Sequence, residues 1–224
     1  LAVEPKFRTE EIDNKVGIGY GAQLSDMDGD NKLDIVLCDK DKVVWYENPS
    51  WKKHQISGHL TKRDHVCVTA RDIDGDGKAE IAVGAQWNIS ETTNDKTSGA
   101  VFYLNPTKDR KGNWMPVRLH HEPTTHRMHW VKAREGRYDL IVKPLYGRGN
   151  RGGKGMGMKV FAYHMPKDPV GEWKLSLVSD FIHDSHNFHP VNWDADSEEE
   201  FIQAGLEGVW HFDWQQKGRW KPTQ

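Results

Sequence analysis

Trp51, Trp114, Trp173 and Trp220 each open a short strand-like segment, and they recur at spacings of 63, 59 and 47 residues. Three further segments precede each of them in a fixed order. First comes an apolar run: GYGAQLS, HVCVTAR, HWVKAR and HNFHPV. A second follows: DIVLC, EIAVGAQW, DLIVKPLY and EFIQAGL. The third is rich in aromatics: KVVWYENP, GAVFYLNP, KVFAYHMP and GVWHFDW. Short runs rich in β-branched and aromatic residues, bounded by Gly, Pro, Asn and Asp, are strand signals. Helical 3.6-residue periodicity is absent over any useful length. Four short strands repeated every 45 to 60 residues or so predict the blades of a β-propeller. The expected fold is therefore all-β, a β-propeller of four-stranded antiparallel blades at residues 13–56, 57–119, 120–178 and 179–224. Residues 5–12, containing FRTEEI, match the fourth strand type and read as a lone outer strand. That unpaired strand predicts further blades or domains beyond these four.

The first and second strands of two repeats are joined by acidic loops, Asp26–Asp34 (DMDGDNKLD) and Asp72–Glu80 (DIDGDGKAE). Carboxylates stand at positions 1, 3, 5 and 9, with glycine at position 4 where the backbone must turn sharply. Calcium takes six to eight oxygens, and closely spaced carboxylates on a tight loop supply them. Position 9 already begins a strand, so these loops are β-turn cages and not EF-hands. The expected ligands are Asp26, Asp28, Asp30 and Asp34, with Asp72, Asp74, Asp76 and Glu80 in the second cage. A third and weaker cage is expected at Asn192, Asp194, Asp196 and Glu200, where Ala195 replaces the glycine. In the third repeat, Arg134–Asp139 (REGRYD) is too short and too poor in carboxylates to form one. Structural calcium of this kind favours an extracellular or periplasmic home, where the ion is abundant.

The 31 Lys and Arg residues nearly balance the 33 Asp and Glu, which argues against a nucleic-acid partner. No apolar run approaches the roughly 20 residues of a spanning helix, so no membrane partner is expected. Cys38 and Cys67 read as buried thiols in strands of neighbouring blades. The twelve histidines are unevenly placed. His59, His65, His120, His121, His126, His129, His183, His186 and His189 fall in the links between blades or in the first residues of an inner strand. All nine then lie on the face opposite the acidic loops, around the axial mouth. Arg63, Asp64, Trp87, Lys143, Tyr146 and Arg148 are placed on the same face. The run GRGNRGGKG lacks the Ser or Thr that follows lysine in a phosphate loop, and reads instead as a mobile cationic lid. A rigid scaffold that gathers such loops on one face is the usual setting of a ligand site.

The acidic loops resemble the calcium-binding FG-GAP or VCBS-type repeats of extracellular propellers. More narrowly, GHLTKRDHVCVTARDIDGDGKAEIAVGAQW, HEPTTHRMHWVK and PLYGRGNRGGKG resemble the propeller part of aldos-2-ulose dehydratases, which include anhydrofructose dehydratases. The likeness runs from about Trp51 to Gly208. It implies a carbohydrate substrate and a carbon–oxygen lyase acting on a keto sugar by histidine-assisted β-elimination. His65, His129, His186, Lys143 and Tyr146 are the expected catalytic set, with His65 foremost. Arg63, Trp87, His126, Arg148 and His189 are expected to bind substrate. A trio such as His65, His129 and His186 would alternatively hold zinc or another divalent cation. Polysaccharide lyase or glycosidase chemistry, and a non-catalytic carbohydrate- or protein-binding propeller, are the competing expectations.

Overall fold

The computed structural model describes residues 4–133, 136–194, 196–215 and 219–224. Sixteen strands form four sheets, each an antiparallel meander of four consecutive strands, and no α-helix occurs among the described residues. The first blade holds β1 (Gly21–Ser25), β2 (Asp34–Cys38), β3 (Val43–Glu47) and β4 (Lys52–Ser57). The second holds β5 (Cys67–Arg71), β6 (Glu80–Ala85), β7 (Ala100–Asn105) and β8 (Met115–Leu119). The third holds β9 (Thr125–Ala133), β10 (Arg137–Pro144), β11 (Val160–His164) and β12 (Lys174–Ser179). The fourth holds β13 (Asn187–Val191), β14 (Glu200–Gly205), β15 (Gly208–Gln215) and β16 (Arg219–Thr223). The first strands of the blades, β1, β5, β9 and β13, line a common axial cleft. The architecture is that of β-propeller blades.

A sheet covered on both faces needs apolar residues at successive positions, not only alternate ones. β6 meets this fully, being buried along its whole length as EIAVGA. Three apolar cores fill the spaces between blades. Val36, Trp45 and Ile56 meet Ile81, Val83 and Phe102 between the first two. Val101 and Tyr103 meet Met128, Trp130 and Leu140 between the second and third. Val131, Ile141 and Ala162 meet Phe188, Phe201 and Phe212 between the third and fourth. The repeating tryptophan serves these cores, since Trp114, Trp173 and Trp220 are all buried. Trp51 departs from the pattern and is only half-buried, at a turn where its φ is 53°. Blades two and three approach so closely that a Cβ on Gly84 would lie 3.2 Å from Met128 Cε and 3.3 Å from Thr125 Cγ2. Cys67 and Cys38 are both buried free thiols.

The acidic loops join β1 to β2, β5 to β6 and β13 to β14 at one end of the cleft, whereas the links between blades gather at the other. On the acidic side Arg71, at the end of β5, forms a two-pronged ion pair with Glu199 of the fourth blade, both contacts at 2.8 Å. Arg71 also lies over the Tyr138 ring at 4.5 Å, so one side chain ties three blades together.

Residues 4–20 contain no strand, which corrects the lone outer strand expected at 5–12. FRTEEI has no strand beside it, and isolated strands do not persist in water; Phe7 is 90% exposed. The later part of the segment is strapped to the first blade instead. Asp39 accepts from Gly17 N at 2.9 Å and Ile18 N at 2.8 Å, and Asp13 accepts from Tyr46 Oη at 2.6 Å.

Candidate active site

Each acidic loop winds around its first carboxylate. Asp26 accepts from the amides of Gly29 and Asn31, both at 2.7 Å, and Asp72 from Gly75 at 2.7 Å and Gly77 at 3.0 Å. Positions 4 and 6 have positive φ, 85° and 63° in the first loop, 82° and 84° in the second. Glycine enters that region freely and asparagine at small cost, so position 6 is a second turn residue that the sequence reading overlooked. The winding gathers carboxylates 1, 3 and 9: Asp26, Asp28 and Asp34 in one loop, Asp72, Asp74 and Glu80 in the next. In the fourth blade Asp194, Asp196 and Glu200 converge likewise; Ala195 lies outside the described residues.

Position 5 does not join the first two clusters, contrary to expectation. Asp30 is paired with Lys32, and Asp76 accepts from Lys78 N at 2.8 Å. Asn192 is turned toward the Asp196 carbonyl at 3.2 Å. In the third repeat, Arg134 and Glu135 lie outside the described residues. There Asp139 Oδ1 accepts from His164 Nδ1 at 2.8 Å, and His164 Nε2 lies 2.7 Å from Ser176 Oγ.

The clusters fit a hard divalent cation, their donors being oxygens alone. Asp28 Oδ1 and Glu200 Oε1 are buried without a hydrogen-bond partner, which is costly unless something charged approaches them. Burial first, then Asp74 and Asp76, pushes the Glu80 carboxyl up to about 7. Burial, with Asp28 and Asp26, raises Asp34 as well. A bound cation would relieve both the burial and the repulsion.

The axial cleft opens at the other face. Its volume is about 190 Å³, and its polar lining comes from Tyr20, Gln23, Arg127, His129, Asn187 and His189. One pair of histidines lines this cleft and a second lies next to it in the chain. His129 and His189 have ring centres 6.0 Å apart, and His126 and His186 have theirs 4.7 Å apart. Trp87 closes the second pair, 5.0 Å from His126. A β-bulge creates this arrangement. β9 and β10 pair Arg127 with Lys143 but Thr125 with Pro144, leaving His126 as the extra residue. Bulges commonly re-aim a side chain beside a site, and here His126 Nδ1 is brought 3.1 Å from the His186 carbonyl.

Five of the expected residues fall into two neighbouring groups: His129 and His189 line the cleft, and Trp87, His126 and His186 pack together beside it. The others join neither group. His65 is fully buried in the link between the first two blades, its Nε2 accepting from Leu60 N at 3.3 Å. It therefore does not point into the mouth as expected. Lys143 is also fully buried, its ammonium donating to the Ser185 carbonyl and to Pro144 O at 3.2 Å. Burial first, then Arg127, lowers its pKa to about 7. Tyr146 lines a neighbouring cavity. Arg148 is no part of a free lid. It binds Glu122 at 2.7 Å, Thr93 O at 2.8 Å and Asp95 at 3.3 Å, pinning two long loops together. Arg63 is exposed on its link, and Asp64 accepts from Tyr20 Oη at 3.0 Å. His65, His129 and His186 form no common metal site. Among the described residues only the acidic loops bring three such ligands together.

Arg127 was overlooked in the sequence because its neighbours are histidines, yet it dominates the local charge. Burial first, then His189 and Arg127, lowers the His129 pKa to about 4. Burial first, then Arg127 and Lys143, lowers His126 to about 3. Both imidazoles are neutral at pH 7, which suits a base and not an acid.

The folded protein binds fewer protons at these rings than the unfolded chain, whose histidines titrate near 6.5. Their contribution to stability is complete above about pH 6.5 and is lost as pH falls through about 4. An NMR titration should show the His126 and His129 rings neutral at pH 5.5, with melting temperature falling below pH 6. Midpoints near 6.5 for both rings would contradict this electrostatic picture.

No curated protein matches the sequence. Residues 26–83 match the FG-GAP-like repeat, a span that holds both of the first two acidic loops, and residues 68–104 match the FG-GAP repeat. Together with the four antiparallel sheets, these matches support a β-propeller-like FG-GAP fold.

Proposed function

We propose that this propeller is a carbohydrate-active carbon–oxygen lyase, stabilised by calcium and working at its axial mouth outside the cell or in the periplasm. The observation that carries the reading is a neutral His129 beside the Arg127 cation in a cleft built by all four inner strands. Elimination next to a carbonyl needs a base for the acidic proton, a positive group for the enolate oxygen, and a proton for the leaving oxygen. His129 takes the proton from carbon, and Arg127 stabilises the charge that develops on oxygen. His189 delivers a proton to the departing hydroxyl or glycosyl oxygen, so water or an alcohol leaves and a carbon–carbon double bond remains. The resemblance to aldos-2-ulose dehydratases supports a keto sugar, such as an anhydrofructose or aldosulose, as substrate. Hydrolysis by paired carboxylates is less well supported, since the described residues lining the cleft include none.

Anhydrofructose and related keto sugars should yield an ultraviolet-absorbing unsaturated product. His129→Ala should lower turnover by about 10²–10⁴-fold, the usual share of acid–base catalysis. His54→Ala is the control, because His54 is stacked on Trp45 in the first blade, away from the cleft. It should change the melting temperature and leave turnover per folded molecule unaltered. Full activity in His129→Ala on a confirmed substrate would refute the assignment.

Calcium at the three acidic clusters is the second part of the proposal. Each ion would be held by carboxylates 1, 3 and 9, or by 3, 5 and 9 in the fourth blade. A ligand that binds only the folded state at a hundred times its Kd adds about 2.7 kcal/mol. Chelation should lower the melting temperature by several degrees, and added calcium should restore it. Identical melting of metal-free and calcium-saturated protein would rule this out.

A further inference from the structure

A second cavity, of about 330 Å³, neighbours the axial cleft on the same face. Its polar lining is Ser90, Thr92, Tyr146, Asn150 and Asp184, and Ile89 and Leu206 add apolar wall. Hydroxyls, an amide and a carboxylate beside aliphatic surface suit a ring that is polar at its edge and apolar on its faces. A sugar ring has that character. The cavity is also a built feature. Its two walls, the loops around 88–98 and 147–157, are locked by the Arg148 contacts to Glu122, Thr93 and Asp95. Its floor is fixed where Leu206 N donates to Asp184 O at 2.9 Å and Asn150 Nδ2 to His183 O at 2.9 Å.

Two chain segments run directly from this cavity to the axial mouth. Asp184 lines the cavity and Asn187 the cleft, three residues that span at most about 10 Å. Trp87 packs against His126 beside the cleft, and Ile89, two residues on, lines the cavity. Trp87, His126 and His186 therefore lie between the two spaces, and half-buried Trp87 offers an aromatic face there.

We infer that this cavity is a second sugar subsite, so that a sugar chain binds more tightly than the single sugar that the axial cleft accepts. The inference rests on the carbohydrate reading above. One sugar occupies the axial cleft at His129 and Arg127, the chain crosses Trp87, and a neighbouring unit hydrogen-bonds to Asp184, Asn150 and Thr92.

The test uses galacturonate and glucose oligomer ladders, from monomer to hexamer, with binding followed by calorimetry and elimination by ultraviolet absorbance. Affinity for one ladder should rise about tenfold or more from monomer to trimer, the effect of two or three added hydrogen bonds. Ser90→Trp, which fills the cavity, should abolish that gain while monomer affinity stays the same. Thr92→Val removes only a hydroxyl and should weaken trimer binding by about three- to tenfold; it decides the matter if Ser90→Trp fails to fold. Equal affinity for monomer and trimer, unchanged trimer binding in folded variants, or no binding of either ladder would overturn the inference. Length-dependent binding without elimination would sustain it, the lyase reading being decided separately by turnover of anhydrofructose. Elimination without length dependence would refute it alone.

Discussion

Face-to-face contact between blades is the constraint on which everything else depends. A four-stranded sheet must cover an apolar face to be stable, and here each inter-blade space is filled by aromatic and branched side chains. Burying one such side chain contributes about 1.5–3 kcal/mol, and each core holds many. The cores fix the angle between neighbouring sheets. That angle brings β1, β5, β9 and β13 close enough to share one cleft. The cleft is therefore a consequence of blade packing, and its polar residues are carried on strands, not on free loops.

The two ends of the cleft have opposite chemistry. At one end carboxylates crowd together until burial and mutual repulsion push Glu80 up to about 7. At the other, burial first, with Arg127 adding to it, holds His126 and His129 neutral. The blade topology separates the two, because strand hairpins of the first kind all turn at one end and inter-blade links at the other. Stability and chemistry can thus be assigned to different faces of one scaffold. On the acidic side Arg71 ties the blades together: it leaves β5 and holds Glu199, whose carboxylate also accepts from Lys132 N at 2.9 Å.

Much of this was legible in the sequence, for physical reasons. A repeating strand pattern survives in any one blade because each blade must bury the same surfaces, so the sheets could be read from Trp114, Trp173 and Trp220. The acidic loops were legible because their chemistry is local. The histidine-rich face followed from topology alone. The individual site residues did not. His65 and His126 both precede or open an inner strand, yet His65 is buried in a link while a bulge at Lys143/Pro144 turns His126 onto Trp87 and His186. One inserted residue reverses which way every side chain beyond it points, and nothing in the local sequence announces it. Lys143 looked like a cation for substrate, but its ammonium is spent on the Ser185 and Pro144 carbonyls. Arg127 was missed because charge influence depends on who faces whom across strands.

The central claim is that the axial cleft, and not another part of the surface, holds the reacting sugar. A crystal structure of the protein soaked with anhydrofructose tests it most directly. The account predicts sugar density in the axial cleft, with its carbonyl oxygen within hydrogen-bonding reach of Arg127 and its acidic carbon facing His129. Sugar bound elsewhere on the propeller, with the cleft holding only water, would contradict it.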